Sequence, residues 1–261
     1  MSAHIARKRF GQNFLQDDNI IASIVHAIHP SDDDCLIEIG PGLAALTEPL
    51  LKNISHMHVV ELDRDLVARL QQRFTSEQLT IHSIDALKFD FLSIPAEGKI
   101  RKVAGNLPST ISRPLLSHLA EFAPHIDVQV FMLQKEVIER MVATPATKAY
   151  GRLSVMLQYR YEMTHLFDVP PHAFVPAPKV TSAVVRMLPR KPEQLLAKDE
   201  THLSKLVSLA FSQRRKMLRN TLAEMVTQEQ LVACDIAPTA RAEEVSVAKF
   251  VQLSNFLLAS S

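Results

Sequence analysis

The sequence predicts an α/β fold: a doubly wound sheet, mostly parallel with an antiparallel edge, followed by a small C-terminal α-helical domain. Three observations carry this reading. Apolar, strand-like runs alternate with helix-patterned stretches from residue 17 to about residue 133, the arrangement of a parallel sheet covered on both faces. The first run, Cys35-Leu36-Ile37, turns through Gly40 and Gly42 into a second apolar stretch at 43–51, as at the ligand-binding corner of such a sheet. Beyond a charged, proline-containing break at 189–198, apolar residues recur at helical spacing.

Taken in order, Asp17 is placed to cap a helix carrying Ile20, Ile21, Ile24, Val25 and Ile28, which ends near Pro30. At the glycine corner, Gly40 and Gly42 permit a tight turn and close approach of a ligand. A helix starting near Ala45 leaves Pro49 in its first turn, where proline is tolerated. Residues 57–63 and 79–85 read as the second and third strands, each with an acidic end, and Leu66, Val67 and Leu70 mark the helix between them. Residues 102–106 and 128–133 are the fourth and fifth strands, separated by a helix over 114–123. The stretches 153–161 and 180–188 are rich in β-formers and joined by a proline-rich loop, so they read as an antiparallel edge pair. Helices over 203–210, 217–225 and 250–258 complete the chain. The division expected is a basic N-terminal segment (1–16), a sheet domain (17–190) and a helical domain (191–261).

The 47% hydrophobic content of these 261 residues can build a sizeable core. A net charge of +1 does not announce a nucleic-acid partner, so any such partner must be read from local clusters. Two cysteines, Cys35 and Cys234, fit a reduced, cytoplasmic setting. The N-terminus lacks the apolar core of a signal peptide, and no apolar run reaches membrane-spanning length.

Ligands of doubly wound sheets bind at the carboxyl ends of the strands. Four successive strand ends carry Gly40 and Gly42, Glu61, Asp85 and Asn106. Glu61 lies 19 residues beyond Gly42, where a carboxylate can accept hydrogen bonds from ribose hydroxyls. Asp85 can accept from an adenine amino group. The glycine corner fits a dinucleotide pattern through Gly40, Gly42 and Ala45, an S-adenosylmethionine pattern, or an ordinary turn. Glu61 and Asp85 can equally be helix caps.

Asn106-Leu107-Pro108 separates these readings. An NAD-dependent oxidoreductase has no evident use for that corner, whereas an enzyme methylating the exocyclic amine of adenine does. The lone pair of that amine is delocalised into the ring. An amide oxygen from Asn106 and the backbone carbonyl of Leu107 can accept its two N–H groups and aim the lone pair at a methyl donor.

These features resemble the small-subunit ribosomal RNA adenine dimethyltransferase family, tied in bacteria to kasugamycin sensitivity. The matching stretches are R-K-R-F-G-Q-N-F-L (7–15), E-I-G-P-G-L-A-A-L-T-E-P-L (38–50), V-E-L-D-R-D-L (60–66), D-A (85–86), G-N-L-P (105–108), M-L-Q-K-E-V (132–137), K-A-Y-G-R-L-S-V (148–155), F-V-P-A-P-K-V-T-S-A-V-V-R (174–186) and F-S-Q-R-R-K-M-L-R-N (211–220). The resemblance implies a Rossmann-like methyltransferase sheet with S-adenosylmethionine as cofactor, held by Asn13, Leu15, Gly40, Glu61, Asp85 and Asn106. It implies a catalytic corner of Asn106, Leu107 and Pro108, with Phe174 stacking on the target base unless it is a packed core residue. The N-terminal segment would then fold over the cofactor site. The implied substrate is a pair of adjacent adenosines in a hairpin loop near the 3′ end of 16S rRNA, each dimethylated at N6 within the assembling small subunit. A monomer is expected, with no metal and no membrane partner.

Against that background the basic clusters acquire a use. Arg7, Lys8 and Arg9 open the chain; Lys179 lies in an acid-free stretch, 169–192; Lys205, Arg214, Arg215, Lys216 and Arg219 lie in another, 201–220. Such patches bind phosphate by counterion release, although a solvated helix face looks the same in sequence. One departure stands out. The family's corner usually reads N-L-P-Y, and this chain has Ser109 there, with Thr110 and Arg113 nearby where the family usually shows Asn and Thr. The second reading is therefore a ribosome-assembly RNA-binding factor with weak or no methyl transfer.

Overall fold

The computed structural model describes residues 12–261. Arg7, Lys8 and Arg9 lie outside the described residues. The chain divides into two compact units. One comprises the residues through Ile138 together with Met163–Pro189, and the other comprises Glu139–Glu162 and Arg190–Ser261. The sequence drew the sheet domain as one continuous stretch, 17–190. The chain instead leaves the sheet unit after Ile138 and returns to it at Met163.

In the sheet unit, β1 (Phe14–Leu15) precedes α1 (Asp18–Ile28), β2 (Asp34–Ile39), α2 (Thr47–Leu50), β3 (Met57–Val60), α3 (Arg64–Arg73) and β4 (Leu79–His82). Then follow β5 (Ile100–Asn106), α4 (Ser112–Ala120) and β6 (Val128–Gln134), and the chain leaves the unit part-way along α5 (Lys135–Met141). Asp17 caps α1 as expected, one carboxylate oxygen accepting from the N–H groups of Asn19 and Ile20 at 3.0 and 3.1 Å. The C-terminal end of α1 is closed by the buried Lys102 of β5. Its ammonium pairs with Asp34 at 2.9 Å and donates to the carbonyls of Ile28 and His29. Those last-turn carbonyls have no partner within the helix.

Strands β4, β3, β2, β5 and β6 run parallel in that spatial order. All six residues of β2 are buried, as befits the central strand. Successive strands are laid to one side of β2 and then to the other, so the switch point that admits a ligand lies between β2 and β5. Gly105 makes that junction possible: a Cβ there would sit 2.3 Å from the carbonyl oxygen of Ile39. Strand β9 (Ser182–Pro189) adds antiparallel to β6, and β7 (Tyr161–Val169) lies outermost. A separate two-stranded ribbon pairs β1 with β8 (Phe174–Val175), Leu15 facing Phe174.

Three sequence expectations need correction. The apolar stretch 43–51 contributes only the four-residue α2, because the turn runs on through Leu46. Pro49 does fall in its first turn. The strands ending at Glu61 and Asp85 stop earlier, at Val60 and His82, leaving both carboxylates on the turns beyond. Of residues 153–161, all but Tyr161 lie outside any strand. They make the helix α6 (Arg152–Arg160), and the strand expected there is β7. Ser154 and Gln158 explain the difference. The Ser154 hydroxyl donates to the carbonyl of Arg140, and the Gln158 amide bridges those of Met141 and Ala143. Only helical spacing brings two residues four apart within about 6 Å; a strand would hold them about 13 Å apart.

The helical unit packs α6 with α7 (Glu200–Ala210), α8 (Leu218–Thr221), α9 (Gln228–Ala233) and α10 (Val247–Ala259). Its core centres on Tyr150, Val155, Leu206, Val207, Phe250 and Leu253, all fully buried. The Tyr150 hydroxyl donates to the carbonyl of Val245 at 2.6 Å.

Candidate active site

A pocket of about 330 Å³ opens at the carboxyl ends of the strands in the sheet unit. Its floor is the glycine corner after β2 and the Asn106-Leu107-Pro108 corner after β5. Over β3 and β4 the wall is Glu61, Leu62, Ile84 and Asp85; over β6 and β9 it is Gln134, Phe174, Val180 and Ser182. Asn13, Phe14 and Leu15 cross one side. The pocket therefore gathers all the sequence-selected residues within 12–190 except Lys179. That lysine is exposed between Pro178 and Val180, which do line the pocket.

Gly40 and Gly42 both adopt left-handed backbone, with φ of 65° and 57°. Gly42 also faces the Phe14 ring, which a Cβ would meet at 3.4 Å. The Gly42 N–H donates to one Glu61 oxygen at 3.3 Å, and the Asp63 N–H donates to the other at 3.0 Å. Glu61 is thus fixed by two backbone donors, while the cap of α3 is Asp63. Burial raises the Glu61 carboxyl above its ordinary value; the Asp63 and Gly42 N–H groups pull it down, and the Asp63 charge pushes it up again. Asp85 does serve as a cap, one oxygen accepting from the Leu87 N–H at 3.0 Å. Its second oxygen has no hydrogen-bond partner among the described residues.

Asn106 is oriented from across the pocket. Its amide nitrogen donates to the backbone carbonyl of Asn13 at 3.3 Å, and the Asn13 side chain donates to the carbonyl of Pro176 at 2.8 Å. With the nitrogen committed, the Asn106 amide oxygen is left without a partner among the described residues. Leu15 and Phe174 are 5% and 3% exposed, so both are core residues that also face the pocket. Ser109 and Thr110 are exposed at its rim.

Glu38 lay inside a quoted motif without a role. It is fully buried beneath the glycine corner and accepts from the Thr47 hydroxyl at 2.5 Å. Burial pushes its carboxyl up to about 7. Gly105, Asp63 and the β1–β8 ribbon also escaped the sequence reading.

The family model described as ribosomal RNA adenine dimethylase matches residues 3–258. The chain belongs to the ribosomal RNA adenine dimethylase family. Relatives of the dimethylase family agree along the whole chain. The protein named ribosomal RNA small subunit methyltransferase A in Aromatoleum aromaticum is 57% identical over 261 residues, covering 100% of this chain and 97% of its own. Its namesake in Neisseria gonorrhoeae is 55% identical over 257 residues, covering 98% of each. A solved dimethyladenosine transferase from Plasmodium falciparum shares the fold at a TM-score of 0.79 and 24% identity, over 92% of this chain and 95% of that one. Dimethylase membership closes the oxidoreductase reading, and nothing in these comparisons supports the inactive assembly factor.

The dimethylase chain's basic residues divide by geometry. Within the helical unit, Arg214 is spent on its own fold: it pairs with Glu243 at 3.3 Å and donates to the carbonyls of Lys148 and Tyr150. Arg215, Lys216 and Arg219 are exposed and have no ion pair among the described residues. Among the described residues, no cluster of three His, Cys, Asp or Glu side chains is placed to hold a metal ion. No described helix is long and apolar enough to cross a membrane.

Proposed function

We propose that this chain transfers methyl groups from S-adenosylmethionine to the N6 amines of two adjacent adenosines in a hairpin loop near the 3′ end of 16S rRNA. The observation that carries the reading is the Asn106 amide, its nitrogen turned to Asn13 and its oxygen free in the pocket. The residues present fit the cofactor: a glycine corner without Cβ atoms, a fixed carboxylate at Glu61, and a free oxygen on Asp85. Bound there, S-adenosylmethionine supplies an electrophilic methyl group on a sulfonium. Glu61 accepts from the ribose hydroxyls, and Asp85 accepts from the cofactor's adenine amino group.

In the first transfer the target amine is held by the Asn106 oxygen and the Leu107 carbonyl, each accepting one N–H; the monomethylated amine of the second transfer keeps one N–H, for one of those two acceptors. That grip draws the lone pair out of conjugation and aims it along the line of transfer, with no covalent enzyme intermediate. Pro108 stiffens the corner, and Phe174 offers a stacking wall. Exposed cations serve RNA phosphate: Lys179 on the sheet unit, and Arg215, Lys216 and Arg219 on the helical unit. The substrate is the RNA of the assembling small subunit, met by a monomer in the cytoplasm.

Mass spectrometry of small-subunit RNA after incubation with the protein and S-adenosylmethionine tests the reading. It expects dimethyladenosine at two adjacent positions. Unmodified RNA, or methyl groups elsewhere, would overturn it.

A further inference from the structure

Gln134 lies in the M-L-Q-K-E-V stretch, 132–137. It ends β6, on the pocket's far side from the glycine corner. Asn106 of β5 pairs with Met132 of β6, and Gln134 of β6 pairs with Ser182 of β9. Paired residues share a sheet face, and so do residues two apart. Asn106, Gln134 and Ser182 therefore project from one face, and all three line the pocket. Gln134 is half-buried, and its side-chain amide has no hydrogen-bond partner among the described residues. A polar group at a pocket wall with its hydrogen bonds unmade is a place for a ligand's complementary group.

That ligand is the methyl acceptor. The glycine corner, Glu61 and Asp85 lie over β2, β3 and β4, whereas Gln134 lies beyond β5, on the strand next to that of Asn106. In adenine the exocyclic amine is flanked by two ring-nitrogen acceptors, N1 and N7. In cytosine one flank is a C–H, and guanine carries an oxygen in place of the six-position amine. Acceptors for the amine combined with a donor beside it thus describe adenine and exclude guanine and uracil, and a donor on the N7 side excludes cytosine as well.

We infer that Gln134 is a specificity-determining residue, its amide N–H₂ donating to a ring nitrogen beside the target amine. The inference rests on the function proposed above. It gives the M-L-Q stretch a role distinct from that of Asn106: Asn106 holds the reacting nitrogen, and Gln134 reads the ring that bears it.

The test replaces the target adenosine in reconstituted small subunits with 1-deazaadenosine or 7-deazaadenosine, each lacking one ring acceptor, and follows single-turnover methylation. The parent enzyme should lose about tenfold on one of the two analogues, the scale of one neutral hydrogen bond. Gln134→Leu should lose about tenfold on natural adenosine and nothing further on that analogue, with cofactor affinity unchanged. Gln134→Glu, which offers an acceptor in place of the donor, should be as slow or slower. Equal parent rates on all three RNAs overturn the inference. So does an analogue penalty that persists in Gln134→Leu, or a fall in cofactor affinity. A parent that leaves natural adenosine unmethylated removes the proposed function itself, a different result from any of these.

Discussion

The Asn106 amide is turned by Asn13, a residue 93 positions earlier whose backbone carbonyl accepts its N–H at 3.3 Å. The residue just before the short N-terminal strand thereby decides which end of the amide faces the pocket. Asn106→Ala removes the acceptor for the target amine and should lower the single-turnover methylation rate about a hundredfold, the scale seen when one preorganised transition-state hydrogen bond is lost. Quenched-flow assay of labelled methyl transfer checks this. An unchanged rate would move the amine's partner elsewhere.

Glu61 should anchor the cofactor ribose. Glu61→Ala is expected to weaken S-adenosylmethionine binding by roughly 1.5–3 kcal/mol, as for hydrogen bonds to a charged group. Because burial raises the Glu61 carboxyl, the parent's affinity should fall with decreasing pH at a midpoint above the ordinary carboxylate value of 4.5. The ionised form is the better acceptor for hydroxyl donors, so protonation removes affinity. Calorimetric titration across that range should show the slope in the parent and its loss in the variant.

The basic residues of the helical unit should separate into two groups. Replacing Arg215, Lys216 and Arg219 with Gln should weaken small-subunit binding and flatten its log–log salt dependence, at unchanged cofactor affinity. Arg214→Gln should act differently. It removes the donors to the Lys148 and Tyr150 carbonyls and the pair with Glu243, so it should lower the melting temperature and leave the salt slope nearly intact. A steep slope surviving the triple replacement would make those three side chains merely solvated.

Sequence patterning made much of this legible, for identifiable reasons. Asp17, the buried run of β2, the strand end at Asn106 and the turns that carry Glu61 and Asp85 all express local rules: a cap, a hydrophobic strand and a turn. What escaped depends on partners far along the chain. Residues 152–160 carry β-formers, but Ser154 and Gln158 need the carbonyls of 140–143, and that tertiary demand overrides propensity. The two-residue β1 is too short for any periodicity and exists because Phe174 and Val175 are there to pair with it. Arg214 and Arg215 are neighbours of identical type, and only the fold shows that Arg214 is engaged with Glu243.

Glu38 should make stability depend on pH. Its carboxyl rises from 4.5 to about 7 through burial, opposed by the Thr47 hydroxyl and reinforced by Glu61. A folded carboxyl that holds its proton more tightly than the unfolded one loses stability as pH rises between those two values. The loss is on the order of 3 kcal/mol. Glu38→Gln keeps an acceptor for the Thr47 hydroxyl and removes the ionisation. It should flatten that part of the profile and exceed the parent in stability at pH above about 7. Urea denaturation at several pH values decides; parallel profiles for parent and variant would show that Glu38 does not titrate there.

Ser109 stands where the resemblance leads one to expect a tyrosine, and its place at the pocket rim lets its effect be measured. The proposed mechanism lays the target adenine against Phe174. A second wall would stand at position 109, where the serine hydroxyl offers no π-face. Arg113 is exposed nearby and has no ion pair among the described residues, so its charge is available to phosphate or solvent. Base–aromatic stacking contributes about 1–3 kcal/mol. Ser109→Tyr should therefore speed methylation roughly ten- to a hundredfold, with little change in cofactor affinity, because the new contact is to the base alone. Phe174 pairs with Leu15 across the ribbon and is largely buried, so Phe174→Ala also costs stability and must be compared at matched folded fractions. At that comparison it should slow the parent more than the Ser109→Tyr background, since the parent has only one stacking partner to lose. Single-turnover rates for the parent, both single variants and the double variant complete the cycle. A Ser109→Tyr enzyme no faster than the parent would mean that position 109 does not stack on the base, and the two-walled picture of the base pocket would have to be given up.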